Sequence, residues 1–251
     1  MAGVRGIAIF QGNEGHRTLI SILCPSRKRP KEFERMVASV RATSDPHYPV
    51  EIIARFDEDD VESIRAARQL EWNLKVLVGP RDRVMCRYWN ECYAVSHGDI
   101  ALQGNDDITF NTPGWNRIVE EEFAKCPDKI LLCHGDDLLY GRERCGAHCF
   151  VSRKWVDTAG FFIPPWFESD FGDQVLNFAA DQLGRRKFLS NVVIEHHHYL
   201  AKKMEYDETA RQRIERHEQS RPDIIYEEKL PERLEMIRKL RAAMDPNWRL
   251  A

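Results

Sequence analysis

No stretch of this 251-residue chain strings together the roughly 18 apolar residues that a membrane-crossing helix needs, so the sequence predicts no transmembrane segment. Residues 1–17 lack the basic-then-apolar order of a secretory leader. An excess of one charge is lacking too. Against 37 Lys and Arg stand 40 Asp and Glu, a formal net charge of −3, which excludes a polycation built for nonspecific nucleic-acid binding and leaves only local basic clusters. No internal repeat and no low-complexity segment is present. The seven cysteines, odd in number and irregular in spacing, make no disulfide framework and read as reduced thiols of a cytoplasmic protein. What remains is 43% apolar, 10% aromatic and 31% charged, the composition of a folded chain with a well-solvated surface.

From Thr18 the hydrophobic period switches repeatedly between that of a strand and that of a helix. The run Leu19 to Cys24, stopped by Pro25, reads as a strand buried on both faces. Phe33, Met36, Val37 and Val40 then mark one face of a helix. Val50 to Phe56 reads as a strand, Val61 to Glu71 as a helix on Ile64, Ala67 and Leu70, and Leu74 to Val78 as a strand closed by Gly79-Pro80. Met85, Tyr88, Trp89 and Cys92 stripe another helix before a strand over Asp99 to Gln103. This alternation predicts an α/β fold with a mostly parallel sheet between helices, which binds ligands at the carboxyl ends of its strands. In the second half, Thr112-Pro113 reads as an N-cap and first turn for a helix on Trp115, Ile118, Val119 and Phe123. Short strands follow at Ile130 to Cys133 and Ala147 to Val151. The proline-broken run Phe161 to Phe167 reads either as a loop over a site or as core packing. A helix on Val175, Leu176, Ala179, Ala180 and Leu183 and a strand over Leu189 to Ile194 come next. Residues 201–251 form a charged helical tail, with Leu230, Leu234, Ile237 and Met244 expected on its inner face.

The polar residues at strand ends carry the chemistry. Asp57-Glu58-Asp59-Asp60 follows the second strand. Four acids in a row repel one another unless a cation or hydrogen-bond donor sits among them, although a solvated turn capping the next helix explains them equally well. Asn105-Asp106-Asp107 leaves an apolar strand and precedes Ile108-Thr109-Phe110, so its carboxylates project into the ligand crevice. Hard oxygen ligands there suit Mg²⁺ or Mn²⁺ shared with a diphosphate. Along Glu195-His196-His197-His198, alternation places His196 and His198 on one face and His197 on the other. A structural zinc would join these to Cys145, His148 and Cys149, but no second paired-cysteine knuckle exists. One histidine and one aspartate on a divalent ion beside phosphates fits better.

These motifs, in this order, resemble the family 2 glycosyltransferases. Ile20-Ser21-Ile22-Leu23-Cys24-Pro25-Ser26-Arg27-Lys28-Arg29-Pro30 is similar to their opening strand and Pro-Thr-Arg-like turn. Phe56 to Asp60 stands at their acidic, nucleoside-reading turn, and Gly104-Asn105-Asp106-Asp107 at their Asp-x-Asp motif, with Asn105 departing from the first aspartate. Phe150 to Phe161 resembles the acceptor-side strand and turn, and Glu195 to His198 the late metal histidine. The resemblance implies a GT-A fold over residues 18–200, between an N-terminal extension (1–17) and the tail (201–251). It implies transfer of a sugar from a nucleotide-diphosphate sugar, UDP-linked by preference, to an acceptor hydroxyl on a carbohydrate or other molecule, with inversion and with Mn²⁺ or Mg²⁺. On it, Asp107 and His196 would hold the metal, with His198 as substitute. Pro25, Ser26, Arg27, Asp57, Asp59, Asn105 and Asp106 would surround the nucleotide, joined by Arg83 or Arg81. Asp173 would be the general base, with Asp170 as the other candidate or as the N-cap of the Val175 helix. The basic clusters Arg27 to Lys31 and Arg185-Arg186-Lys187 leave modified DNA open as an acceptor, as in phage-type enzymes working in a host cytoplasm. A non-catalytic sugar-nucleotide-binding module is the alternative of another class. A sugar nucleotidyltransferase would open with a glycine-rich phosphate loop, which Pro25-Ser26-Arg27 lacks.

Overall fold

Two-residue alternation decides which side of the sheet each strand residue serves. The computed structural model describes residues 18–139, 145–168 and 170–250; the expected extension 1–17 lies outside the described residues. Strands β1 (Ile20–Pro25) and β2 (Val50–Asp57) are buried along their whole lengths. Ile20, Ile22 and Cys24 join Val50, Ile52, Ala54 and Phe56 in one core, whereas Leu23 and Ile53 turn to a second. The polar residues between them are paired: Ser21 Oγ donates to Glu51 Oε1 at 2.6 Å, and Arg55 Nε donates to Glu91 Oε2 at 2.7 Å.

Helix α1 (Pro30–Thr43) crosses from β1 to β2, and α2 (Val61–Gln69) from β2 to the edge strand β3 (Leu74–Gly79). Helix α3 (Met85–Ala94) then carries the chain back to β4 (Ile100–Gln103), on the other side of β1. These four strands are parallel. The connections leave β1 in one direction and arrive at β4 from the other, so a crevice opens at their carboxyl ends.

The remaining elements are β5 (Ile108–Phe110), α4 (Trp115–Ala124), β6 (Leu132–Asp136), β7 (Cys149–Ser152), α5 (Arg153–Ala159), α6 (Gly172–Leu183), β8 (Arg186–His196), α7 (Glu208–Ser220), α8 (Pro222–Glu228) and α9 (Leu230–Ala243). The eight strands run in the order β3-β2-β1-β4-β7-β6-β8-β5. Here the sheet departs from the expected parallel run. β7 is antiparallel to β4 and β6, and β5 is antiparallel to β8. The three-residue β5 is too short to show a period of its own and forms because β8 pairs with it, Ile108 opposite His196.

Phe33, Met36, Ile64, Trp115 and Phe123 cover one face of the sheet from α1, α2 and α4. Cys86, Trp89, Trp155, Val175, Leu176 and Met236 cover the other from α3, α5, α6 and α9. All seven cysteines are free thiols and six are buried.

Two local expectations are corrected, and one left open is resolved. The N-cap of α4 is Gly114 at φ 71°, not Thr112; Thr112 instead accepts the Val193 N–H on Oγ1. The inward face of α9 is Met236, Ile237 and Leu240 with Arg233, while Leu230 and Leu234 are exposed. Arg233 serves as a core residue because its guanidinium stacks on Tyr226 and Phe178 at 3.6 and 4.8 Å. Phe162, Ile163 and Phe167 of the proline-broken run are fully buried in the second core, and Ile163 also reaches the crevice.

Candidate active site

The crevice is a cavity of about 230 Å³ at the carboxyl ends of β1, β2 and β4. At its floor, β4 ends at Gln103 and turns through Gly104, where a Cβ would come within 2.8 Å of Ile22 Cγ2. Glycine therefore allows the close approach that delivers Asn105, Asp106 and Asp107 into the cavity. Asp106 accepts from Ser26 Oγ at 2.7 Å and from Arg29 Nη1 at 3.3 Å. Asp107 Oδ2 stands 3.6 Å from Arg29 Nη1 and 3.6 Å from His196 Nε2. Burial pushes the Asp106 carboxyl upward against the pull of Arg29. Asp107 is buried too, yet His196 and Arg29 beside it hold its carboxyl well below the usual range.

His148 and His198 close around His196, with ring centroids 4.9 and 5.2 Å from it. Burial and the neighbouring His196 lower both to about 4, so they stay neutral with a lone pair to offer. His197 points the other way, to Thr109 Oγ1 at 2.8 Å, as strand alternation requires.

Among the described residues no three His, Cys, Asp or Glu side chains converge as a complete metal cage. Yet Asp107 Oδ1, His148 Nε2 and Gln103 Oε1 are buried atoms with no hydrogen-bond partner. Unsatisfied acceptors of this kind are costly unless a ligand completes them. A carboxylate and an imidazole without a third protein ligand fit a divalent cation that shares its shell with phosphate oxygens.

At the carboxyl end of β2 the acidic turn divides its work. Asp57, 2% exposed, accepts from Tyr88 Oη at 2.7 Å, Arg55 Nη1 at 3.1 Å and Arg27 Nη1 at 2.7 Å. Asp59 lies outside the cavity lining and holds the same Arg27 through both its oxygens. Asp60 caps α2, accepting from Ser63 N. Arg27 thus presents its guanidinium between two fixed carboxylates, beside Pro25 and Ser26. Arg83 is a correction. It is 63% exposed, pairs with Glu168 at 3.0 Å and does not line the cavity, whereas Arg81 does. Arg83 stands four residues past the end of β3 and turns its side chain to Glu168 and Gln219.

On the opposite wall, Asp170 and Asp173 are three residues apart but differ in state. Asp170 is clamped by Arg213 at 2.7 Å and His217 Nδ1 at 2.6 Å, and it does not cap α6. The N-cap is Phe171, held at φ 76° in the left-handed region that a bulky residue rarely occupies. Phe171 is wedged against Tyr226 and Phe167 at 5.4 and 6.1 Å. Gly172 follows because a Cβ there would meet Ile163 Cγ2 at 2.6 Å. Asp173 in the first turn is left without a cationic partner among the described residues. Oδ1 accepts from Gln174 N at 2.9 Å, and Cys145 Sγ lies 3.8 Å from Oδ2. Burial, with Asp170 nearby, pushes this carboxyl up to about 6.

No protein-family model matches the sequence, and no curated protein sequence does. Solved structures do match. The mannosyltransferase PcManGT from Pyrobaculum calidifontis, in complex with GDP-Man and Mn²⁺, is 12% identical over 91% of this chain and 74% of its own, with a TM-score of 0.59. The fold is GT-A. S. aureus TarS is 13% identical over 71% of this chain, TM-score 0.55. Its 1–349 portion in complex with UDP is 15% identical over 70%, TM-score 0.54. The chain spans 37% and 59% of the lengths of those two TarS chains.

The sequence reading of this GT-A crevice missed its outer wall. Thr209, Ala210, Gln212, Arg213 and Arg216, all from α7, line the cavity together with Met204 and Tyr199. Their signal was a polar stripe, Thr209, Gln212, Arg213 and Arg216 at i, i+3, i+4 and i+7, which resembles an ordinary solvated face. His148 enters the sequence reading only as a zinc ligand, and in the fold it stands beside His196.

Proposed function

We propose that this chain is a glycosyltransferase that moves a sugar from a nucleoside-diphosphate sugar, UDP-linked by preference, to an acceptor hydroxyl with inversion. The observation that carries the reading is Asp173. A carboxyl pushed up to about 6 shares one cavity with the Asp106, Asp107 and His196 cluster. That value suits a base that is ionised at neutral pH and still worth protonating. The acceptor oxygen forms the new bond to the anomeric carbon while its proton passes to Asp173. The bond from that carbon to the diphosphate oxygen breaks, and its electron pair leaves with the diphosphate. Pro25, Ser26, Arg27 and Asn105 surround the nucleoside; Asp57 and Asp59 act on it through Arg27, and Asp106 through Ser26 and Arg29. Asp107 and His196 would hold a Mn²⁺ or Mg²⁺ ion, with His198 next to them, and a bound ion would offset the charge growing on the leaving diphosphate. Neighbouring structures in complex with UDP and with GDP-Man and Mn²⁺ support such a donor. The catalytic unit takes in the tail, whose α7 walls the cavity.

The basic clusters weigh against DNA as the acceptor. Arg27 and Arg29 are engaged by Asp57, Asp59, Asp106 and Asp207. Arg185 is 1% exposed and paired with Asp128, and Arg186 pairs with Asp181. A phosphate backbone would have to displace these carboxylates. A thermal-shift series of nucleoside diphosphates with and without Mn²⁺ tests the reading, because a ligand of the folded state raises Tm by mass action. A selective, Mn²⁺-enhanced shift is expected with UDP or GDP; no shift with any nucleotide contradicts it.

A further inference from the structure

Helix α7 is an unusual wall. Only Ala210 of its residues is buried, so apolar burial does not hold it in place. Polar contacts do. Asp207, its N-cap, takes both Arg29 Nε and Nη2 at 2.7 and 2.8 Å. Thr209 Oγ1 donates to Arg27 O, Gln212 Oε1 accepts from Arg81 Nη2 at 2.6 Å, and Arg213 and His217 grip Asp170. Thr209, Gln212, Arg213 and Arg216 therefore face inward on one stripe.

The arginines that line the cavity fall into two groups. Arg27, Arg29 and Arg213 each have a carboxylate within 4 Å. Arg81 and Arg216 have none among the described residues. The Arg216 side chain makes no hydrogen bond with any described residue, and its Nε is buried without a partner. Its nearest charges include a second cation, Arg81, with Asp170 and Glu168 farther off than an ion pair. Two guanidinium groups on one cavity wall repel, and a buried donor without an acceptor adds to the cost. An anion with several oxygens between them removes both penalties.

We infer that Arg216 and Arg81 form an anion subsite for the diphosphate of the donor, and that α7 closes the donor site by carrying Arg216 into it. The inference rests on the nucleoside-diphosphate reading for the identity of the ligand. The geometry of the unpaired guanidinium groups stands without that reading. Arg216, Arg81 and Asp107 line one cavity, so the charge released by bond breaking there would be met by a fixed cation.

Pyrophosphate and nucleoside diphosphates separate the two claims. With the full-length protein in EDTA, pyrophosphate is expected to raise the Tm of the parent and to leave Arg216→Gln unmoved. UDP or GDP, whichever binds the parent, is expected to bind Arg216→Gln about tenfold to a hundredfold more weakly by calorimetry. The matching nucleoside is expected to bind both proteins equally. Arg216→Lys should recover part of the loss, and Arg211→Gln, on the exposed face of the same helix, should recover nothing because it loses nothing. Arg81→Gln supplies a second test should Arg216→Gln fold poorly, and it should lose pyrophosphate binding likewise. Equal pyrophosphate and diphosphate affinity in the parent, Arg216→Gln and Arg81→Gln overturns the subsite. A pyrophosphate response abolished by these substitutions, with no nucleoside diphosphate bound by the parent, upholds the subsite and overturns the donor reading.

Discussion

Asp170 and Asp173 have the same side chain and stand at the same helix start, yet the neighbours of each give it a different state. Arg213 and His217 hold Asp170 at 2.7 and 2.6 Å, whereas burial leaves Asp173 to bind its proton more tightly than the usual aspartate near 3.9. Transfer is therefore expected to rise with pH along an acid limb centred near 6, and a limb near 4 would contradict the assignment. The sign for stability follows by linkage. The folded pKa lies above the unfolded one, so the group's contribution is complete below pH about 4 and is lost as pH rises through about 6. Asp173→Asn should then melt at or above the parent at pH 8 and converge with it in acid; a lower Tm at pH 8 would point to a capping role. Asp57 has the cationic partners that Asp173 lacks among the described residues. It is buried with Arg55 at 3.1 Å and Arg27 at 2.7 Å, and removing one partner of a buried pair costs about 3–5 kcal/mol. Asp57→Ala is expected to lose both Tm and nucleotide affinity, and unchanged melting would refute the network. The sequence showed that Asp57 ends a buried strand. It could not show that Tyr88, from the next helix but one, would saturate the carboxylate, because that contact exists only across the fold.

At the scale of elements, the first half was legible because each strand and helix carries its own period. Phe33, Met36, Val37 and Val40 are the buried face of α1 as their spacing requires, and Tyr88, Trp89 and Cys92 behave likewise in α3, with Met85 half-buried. The second half was less legible where pairing, not period, makes the element. β5 has three residues and exists through β8, and α9 buries an arginine through aromatic stacking that no hydropathy pattern records. The start of α6 is a tertiary feature as well. Phe171 at φ 76° and Gly172 against Ile163 aim Asp173 into the cavity. In Gly172→Ala the new Cβ would lie 2.6 Å from Ile163 Cγ2, an overpacking that typically costs about 1–3 kcal/mol. We expect a lower Tm and a fall in kcat larger than any change in donor affinity, since the base moves and the nucleotide side does not. An unchanged kcat would show that α6 does not position the base.

Across the whole molecule, the tail is the part whose meaning the sequence concealed most. Its apolar stripe reads as a helical tail lying back on the domain or on a partner, and its near balance of cations and anions gives no sign that it lines the crevice. In the fold, α9 enters the second core through Met236, Ile237 and Leu240, and α7 completes the crevice with charged groups. The farthest end is also tied in, with Trp248 stacked on Arg185 at 4.1 Å and Asp245 N donating to Asp128 at 2.7 Å. Charge pairing over such distances in sequence, Arg29 to Asp207 or Asp170 to Arg213, leaves no local trace, so the wall of the cavity looked like surface. Among the described residues no helix is long and apolar enough to cross a membrane. The central claim is that this cavity transfers a sugar with Asp173 as the base. Its most direct test is release of nucleoside diphosphate from a panel of UDP- and GDP-sugars with Mn²⁺ and carbohydrate acceptors, run on the parent and on Asp173→Asn. The account predicts release by the parent from at least one donor, and a loss of about 10²–10⁴ in rate in Asp173→Asn with nucleotide binding retained. Parental turnover in Asp173→Asn, or a parent that binds donors and never releases their nucleotide, would contradict it.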